Sequence, residues 1–192
     1  RFSSVQDFSD ITVSEPDKSL ITIQKRFGGR TNGKITVRHQ GGGTKKYLRE
    51  VDFTRSRYDI PARVDTIEYD PNRGARIAKT VYKDGVKSYI LAPHKLSVGD
   101  TDVSSRTEAE ISIGNRLPLE KIPVGTQVHA VELPPGQGAR LGRGAGAMIE
   151  FRAIEGDMAI LRLPSGEARL VPKSCLATIG TVSNPDWHLV RW

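Results

Sequence analysis

Apolar and polar residues alternate along much of this chain with a period of two, the spacing of half-buried β-strands rather than of helices. From Lys34 onward, Ile35, Val37 and His39 fall on one side, while Lys34, Thr36 and Arg38 fall on the other. A strand built this way shows bases and a hydroxyl on one face and apolar groups on the opposite one. Further strands are predicted over 47–53, 61–69, 75–82 and 86–91. Asp70-Pro71-Asn72-Arg73-Gly74 supplies a strong turn between two of them. Asp84-Gly85 is a pair favoured in hairpin turns. Five short strands in close succession suit a small closed barrel, for which the oligonucleotide-binding type is the leading candidate.

The pattern then lapses. Pro93, Gly99, Asp100, Gly114, Asn115 and Pro118 interrupt residues 93–120, which read as a connection. It resumes over 127–133, 147–154, 158–163, 167–171 and 176–182, with a long glycine-containing loop over 134–146. This second set suits a barrel of the SH3-like type. Residues 1–23 have no clear period and read as an extended arm. The expected fold is therefore all-β: two small barrels in tandem, an OB-fold followed by an SH3-like barrel, with an extended N-terminal arm. The divisions expected are 1–27 for the arm, 28–110 for the first barrel and 111–192 for the second.

Charge sharpens this picture. The 192 residues carry a net charge of +7, but unevenly. Lys25, Arg26, Arg30, Lys34, Arg38, Lys45, Lys46, Arg49, Arg55 and Arg57 are opposed within 24–57 only by Glu50 and Asp52. Residues 1–23 are acidic on balance, with Asp7, Asp10, Glu15 and Asp17 against Arg1 and Lys18. A local basic stretch points either to a solvated face or to a surface that neutralises phosphates and releases their counterions. No apolar run approaches the roughly 18 residues of a membrane helix, so no membrane-spanning role is expected.

Catalytic chemistry finds little support. His39, His94, His129 and His188 sit in no recognisable nucleophile or metal spacing, so no enzyme activity, cofactor or metal is expected. His129 reads as a packing residue, and the single cysteine, Cys175, as a structural one. His39 abuts the glycine run, where a phosphate or sugar contact and a structural role are both open. Gly41-Gly42-Gly43-Thr44-Lys45 lacks the spacing of a phosphate-binding loop, and Gly136-Gln137-Gly138-Ala139-Arg140-Leu141-Gly142 misses the dinucleotide fingerprint. Both loops fit either close backbone approach to an RNA surface or a mobile surface loop. Arginine offers phosphate a planar fork that cannot lose its proton. Arg30, Arg38, Arg49, Arg55, Arg57, Arg73, Arg140 and Arg143 are the candidates, with Lys34, Lys45, Lys46 and His39 completing the set of expected RNA contacts. Tyr47 and Phe53, at strand spacing, read as core rather than as base-stacking platforms. Folded RNA, recognised by shape and backbone, is the partner this composition favours.

Several runs, taken in order, resemble the large-subunit ribosomal protein L2 family of bacterial type. They include Gly29-Arg30-Thr31-Asn32-Gly33-Lys34-Ile35-Thr36-Val37-Arg38-His39, Gly41-Gly42-Gly43-Thr44-Lys45-Lys46 and Tyr69-Asp70-Pro71-Asn72-Arg73. Tyr82-Lys83-Asp84-Gly85, Tyr89-Ile90-Leu91-Ala92-Pro93, Gly114-Asn115-Arg116-Leu117-Pro118-Leu119 and Ile122-Pro123-Val124-Gly125-Thr126 continue the series. The resemblance covers roughly 28–183. It implies two barrels lying on large-subunit ribosomal RNA near the peptidyl transferase region, among neighbouring ribosomal proteins, with a part in subunit association. It also implies that Arg73 and Arg143 are principal RNA contacts. The alternative reading is a free RNA-binding translation factor using the same two barrels. The family usually continues into a basic, Gly- and His-rich tail, which is expected to be trimmed, disordered or supplied by a separate chain. The acidic arm and Arg1-Phe2-Ser3-Ser4 suggest a mitochondrial version, with a bacterial cytoplasmic or plastid location as the alternative.

Overall fold

The computed structural model of the chain describes residues 4–23, 29–39 and 46–191. Among them the strands are β1 (Ile21–Ile23), β2 (Arg30–Thr31), β3 (Lys34–Ile35), β4 (Tyr47–Arg49), β5 (Ala62–Glu68), β6 (Ile77–Tyr82), β7 (Lys87–Leu91) and β8 (Thr101–Asp102). They continue as β9 (Arg116–Pro118), β10 (Gln127–His129), β11 (Val131–Glu132), β12 (Ala139–Leu141), β13 (Ile149–Glu155), β14 (Met158–Arg162), β15 (Ala168–Pro172) and β16 (Leu176–Ile179). The helical segments among the described residues are short 3-10 turns at Lys18–Leu20, Leu119–Lys121 and Pro185–Leu189. The protein is all-β.

Strands β5, β6 and β7 form where alternation predicts them. With β8 they make an antiparallel sheet in the order β7–β6–β5–β8. A register shift between Val64 and Thr66 interrupts the strict in–out alternation of β5, so that both Ile67 and Glu68 are buried. Val64, Ala78, Ile90, Ala92 and Leu96 fill the core behind this sheet. The basic lead-in is tied to the sheet by Val51, which bridges Tyr89, and by the Asp52 amide, which donates to the Tyr89 carbonyl at 2.8 Å. The second sheet runs β15–β14–β13–β10–β16–β9. Its core is larger and includes Leu117, Leu119, Val128, Ile149, Phe151, Leu161, Val171 and Ile179.

Five expectations need correction. The strand expected over 47–53 ends at Arg49; Val51 makes only an isolated bridge to Tyr89, and the Asp52 carboxylate then turns the chain by accepting from the Thr54 and Arg55 amides. Asn32 (φ 50°) and Gly33 (φ 77°) make a tight β2–β3 hairpin, and the strand expected over 34–39 ends at Ile35 because the Thr36 and Val37 amides both close onto the Gly29 carbonyl instead of extending the ladder. The strand expected over 127–133 breaks at Ala130, whose φ of 48° swings β11 away from β10 to pair with β12. The loop expected over 134–146 contains β12. The connection expected over 93–120 contributes an edge strand to each sheet: β8 pairs with β5, and β9 with β16.

Polar groups lock the two sheets together. Arg55 pairs with Asp102 at 2.5 Å, both buried, and its Nη1 also donates to the Gly114 carbonyl at 3.2 Å. Arg116 pairs with Glu132 at 2.7 Å, each about 1% exposed, and donates to the Thr54 carbonyl. An apolar joint of Ala75, Leu91 and Val182 carries Val51, Phe53, Ala145 and Ala147 on its flank. The acidic arm folds back on the first sheet: Asp10 pairs with Arg76 at 3.0 Å and Asp17 with Lys87 at 2.9 Å.

Candidate nucleic-acid interface

The turn after β5 is organised by one carboxylate. Asp70 is fully buried; its Oδ1 accepts from the Asn72 amide at 2.8 Å and from Asn72 Nδ2 at 3.1 Å. Its Oδ2 accepts from Arg73 Nε at 2.7 Å, which leaves the outer edge of that guanidinium available. Proline fixes the second position of the turn, and Asp and Asn supply the side-chain bonds that close it. Asn72 Nδ2 reaches across to the Tyr47 carbonyl at 2.8 Å, and Lys46 Nζ to the Pro71 carbonyl at 3.4 Å. The basic lead-in and the turn therefore form one surface.

The glycine loop is organised by another carboxylate. Glu132 accepts from the amides of Gly136, Gly138 and Leu176, each at 3.1 Å, as well as from Arg116. A buried carboxylate with this many donors has its charge satisfied within the protein. The loop then crosses the lead-in, where the Ala139 amide donates to the Phe53 carbonyl at 2.9 Å. Gly138 has a φ of +79°, and a Cβ there would lie 3.0 Å from the Phe53 carbonyl oxygen. At Gly138 the missing side chain thus permits close approach to the protein's own backbone, whereas Gly136 and Gly144 face open space.

These two devices bring two arginines to one ring. The Arg73 guanidinium carbon lies 5.7 Å from the Phe53 ring centroid, and that of Arg143 lies 5.0 Å from it. Arg73 comes from the first sheet's turn and Arg143 from the second unit's loop. The remaining expected contacts divide. Arg30, Lys34, Arg38 and His39 are exposed on the β2–β3 hairpin and the turn after it, where Thr36 and Val37 amides close onto the Gly29 carbonyl. Lys46 and Arg140 are exposed. Arg49 is 8% exposed and donates to the Tyr47 carbonyl. Arg55 is 6% exposed and engaged by Asp102, so it secures the joint between the sheets instead of offering charge to a partner. Arg57 pairs with Asp84 and lies 5.1 Å from the Tyr82 ring centroid. Lys45, Phe27 and the glycine run 41–43 lie outside the described residues. Tyr47, expected in the core, is half exposed, and Phe53 is only partly buried.

Among the described residues no group of three or more His, Cys, Asp or Glu could hold a metal ion, and no helix is long and apolar enough to cross a membrane. His129 is buried, its Nδ1 2.8 Å from the Gly180 carbonyl, and burial pushes its pKa down to about 4. Cys175 is buried with its thiol 3.1 Å from the Leu133 carbonyl, and burial pushes its pKa up to about 11. Both residues therefore stay neutral near pH 7.

An all-β body with arginine-bearing loops and an exposed basic hairpin defines a polyanion-binding structural protein. Two family descriptions match the chain: "Ribosomal Proteins L2, RNA binding N-terminal domain" over residues 17–104, and "Ribosomal Proteins L2, C-terminal domain" over residues 112–192. Between them they cover most of its length, and the chain belongs to the ribosomal protein L2 family, structural proteins of the large ribosomal subunit.

Proposed function

We propose that this chain clamps folded large-subunit ribosomal RNA near the peptidyl transferase region, and that it thereby supports subunit association. In this reading the first unit, 28–110, acts as an oligonucleotide-binding barrel and the second, 111–192, as an SH3-like barrel. The observation that carries it is the meeting of Arg73 and Arg143, one from each unit, over Phe53. The hairpin bases Arg30, Lys34 and Arg38, with His39, add a second cationic edge, and Lys46 and Arg140 extend the face. The acidic arm, which departs from the family's basic one, favours the mitochondrial version, whose ribosome would supply the neighbouring ribosomal proteins as partners.

Replacing either Arg73 or Arg143 by Ala is expected to weaken binding to the cognate RNA domain by about 1–3 kcal/mol, the range of a charge-assisted hydrogen bond. Filter-binding titration reads this directly. Unchanged affinity in both variants would remove the two arginines from the interface. Retention on large subunits through a high-salt wash separates a ribosomal component from a free factor, which washes off.

A further inference from the structure

Phe53 lies in the bend that follows β4 and the Val51 bridge, and it has one contact set inside and another outside. Inside, it packs on the apolar joint of Ala75, Leu91 and Val182, which draws on both units. Its carbonyl accepts from the Ala139 amide of the glycine loop. Outside, its partly buried ring lies beneath two guanidinium groups, at 5.7 and 5.0 Å from its centroid. The two cations can be no farther apart than the sum of those distances, close to the Debye length of about 10 Å at 0.1 M ionic strength. Unpaired, they would repel each other. The faces of an aromatic ring are negative and offset part of that repulsion, keeping both cations close to Phe53. Arg73 has the buried Asp70 as a second partner, whereas Arg143 forms no ion pair among the described residues. Backbone phosphates arriving at this surface would meet two guanidinium groups already held at one ring.

We propose that Phe53 is a positioning residue for RNA recognition: its ring gathers Arg73 and Arg143 at one place, so that the two units read neighbouring backbone phosphates as a single feature. The proposal rests on the reading that the two arginines touch ribosomal RNA. It makes the two contacts interdependent, because a phosphate held by one arginine is also within the field of the other. It also explains why a residue at strand spacing with apolar surroundings is left partly open to solvent.

The test is a thermodynamic cycle on the full chain with a large-subunit RNA fragment as probe. Phe53→Leu keeps an apolar side chain at the joint but removes the ring, and Phe53→Trp keeps a π-face. Phe53→Leu is expected to lower affinity roughly three- to tenfold, with the slope of binding against salt unchanged because no charge is lost. Phe53→Trp is expected to bind like the parent. In the parent, the combined Arg73→Ala and Arg143→Ala loss should be smaller than the product of the single losses, and this coupling should vanish in the Phe53→Leu background. If Phe53→Leu does not melt cooperatively, Phe53→Met fills the same space and takes its place in the cycle. Parent-like affinity with Leu or Met at this position, equal weakening by Trp and Leu, or undiminished coupling without the ring each overturns the role of Phe53. Arginine variants that bind like the parent overturn the reading beneath it.

Discussion

The arginines of this protein divide by whether a carboxylate lies within reach. Arg55 has Asp102, Arg57 has Asp84, Arg76 has Asp10 and Arg116 has Glu132, so their charges are answered inside the molecule. Arg73 is intermediate: Asp70 holds one edge of it while the ring of Phe53 lies beneath. The pairings of Arg55 and Arg116 cannot be read from a linear chain, because Asp102 and Glu132 are far in sequence from the bases they engage. That is why Arg55 looks identical to Arg30 in sequence yet ends up buried. His129 shows the same dependence on context. Its alternation pattern marks it as a packing residue, but only the fold reveals that burial holds its pKa near 4 against an ordinary 6.5. Between those values the unfolded chain binds a proton that the native one refuses. The contribution of His129 to stability is therefore full above pH 6.5 and declines as pH falls toward 4. At pH 5 the loss should be about 2 kcal/mol. Unfolding free energies from urea titrations at pH 7 and pH 5 should differ less in His129→Gln than in the parent by about that amount, and equal differences would refute a neutral buried imidazole.

At the scale of elements, long strands were legible and short ones were not. Strands β5, β6 and β7 run five to seven residues, enough for a period of two to show, and the expected ranges match them closely. Strands β8 and β9 have two and three residues and sit among Pro and Gly, where no period can establish itself. Asn32-Gly33 is a strong local signal for a tight hairpin, yet the alternation that continues through Val37 masks it. The break at Ala130 shows in the sequence only as a slip of phase, Val128 and Ala130 giving way to Val131 and Leu133, which a run of mostly apolar residues makes easy to overlook. Gly74 is another position whose reason is visible only in three dimensions. A Cβ there would lie 2.5 Å from the Trp187 ring, so the glycine lets the C-terminal 3-10 turn settle on the first sheet, where Asn184 Nδ2 donates to the Gly74 carbonyl at 2.9 Å. Gly74→Ala should displace that turn and cost about 1–3 kcal/mol, as overpacking does. Tryptophan emission should shift to longer wavelength, and the shift should disappear when Trp187→Phe is added. An unshifted spectrum with an unchanged melt would show that the turn does not depend on this contact.

At the scale of the whole molecule, the protein presents a divided cationic surface on a body stitched together by buried ion pairs. The hairpin bases and the Phe53 cluster are carried by different elements, and a folded RNA spans them more readily than a single strand does. If six or more phosphates are engaged, affinity should fall by about three orders of magnitude between 50 and 200 mM salt, taking the duplex-DNA rule as a guide. A shallow dependence in a salt titration would mean that few of these cations meet phosphate. The family resemblance was legible from ordered motifs, and the all-β character from alternation. The joint was not, because it depends on Arg55, Arg116 and Glu132 meeting partners across the chain.

The carboxylate that shapes the glycine loop has one further implication. Glu132 takes the amide of Leu176, 44 residues downstream. Until the chain is made past that point, the cradle has only three of its four donors. The loop between β11 and β12 is thus finished by a group from β16, and a chain cut short of Leu176 would leave this carboxylate one hydrogen bond poorer.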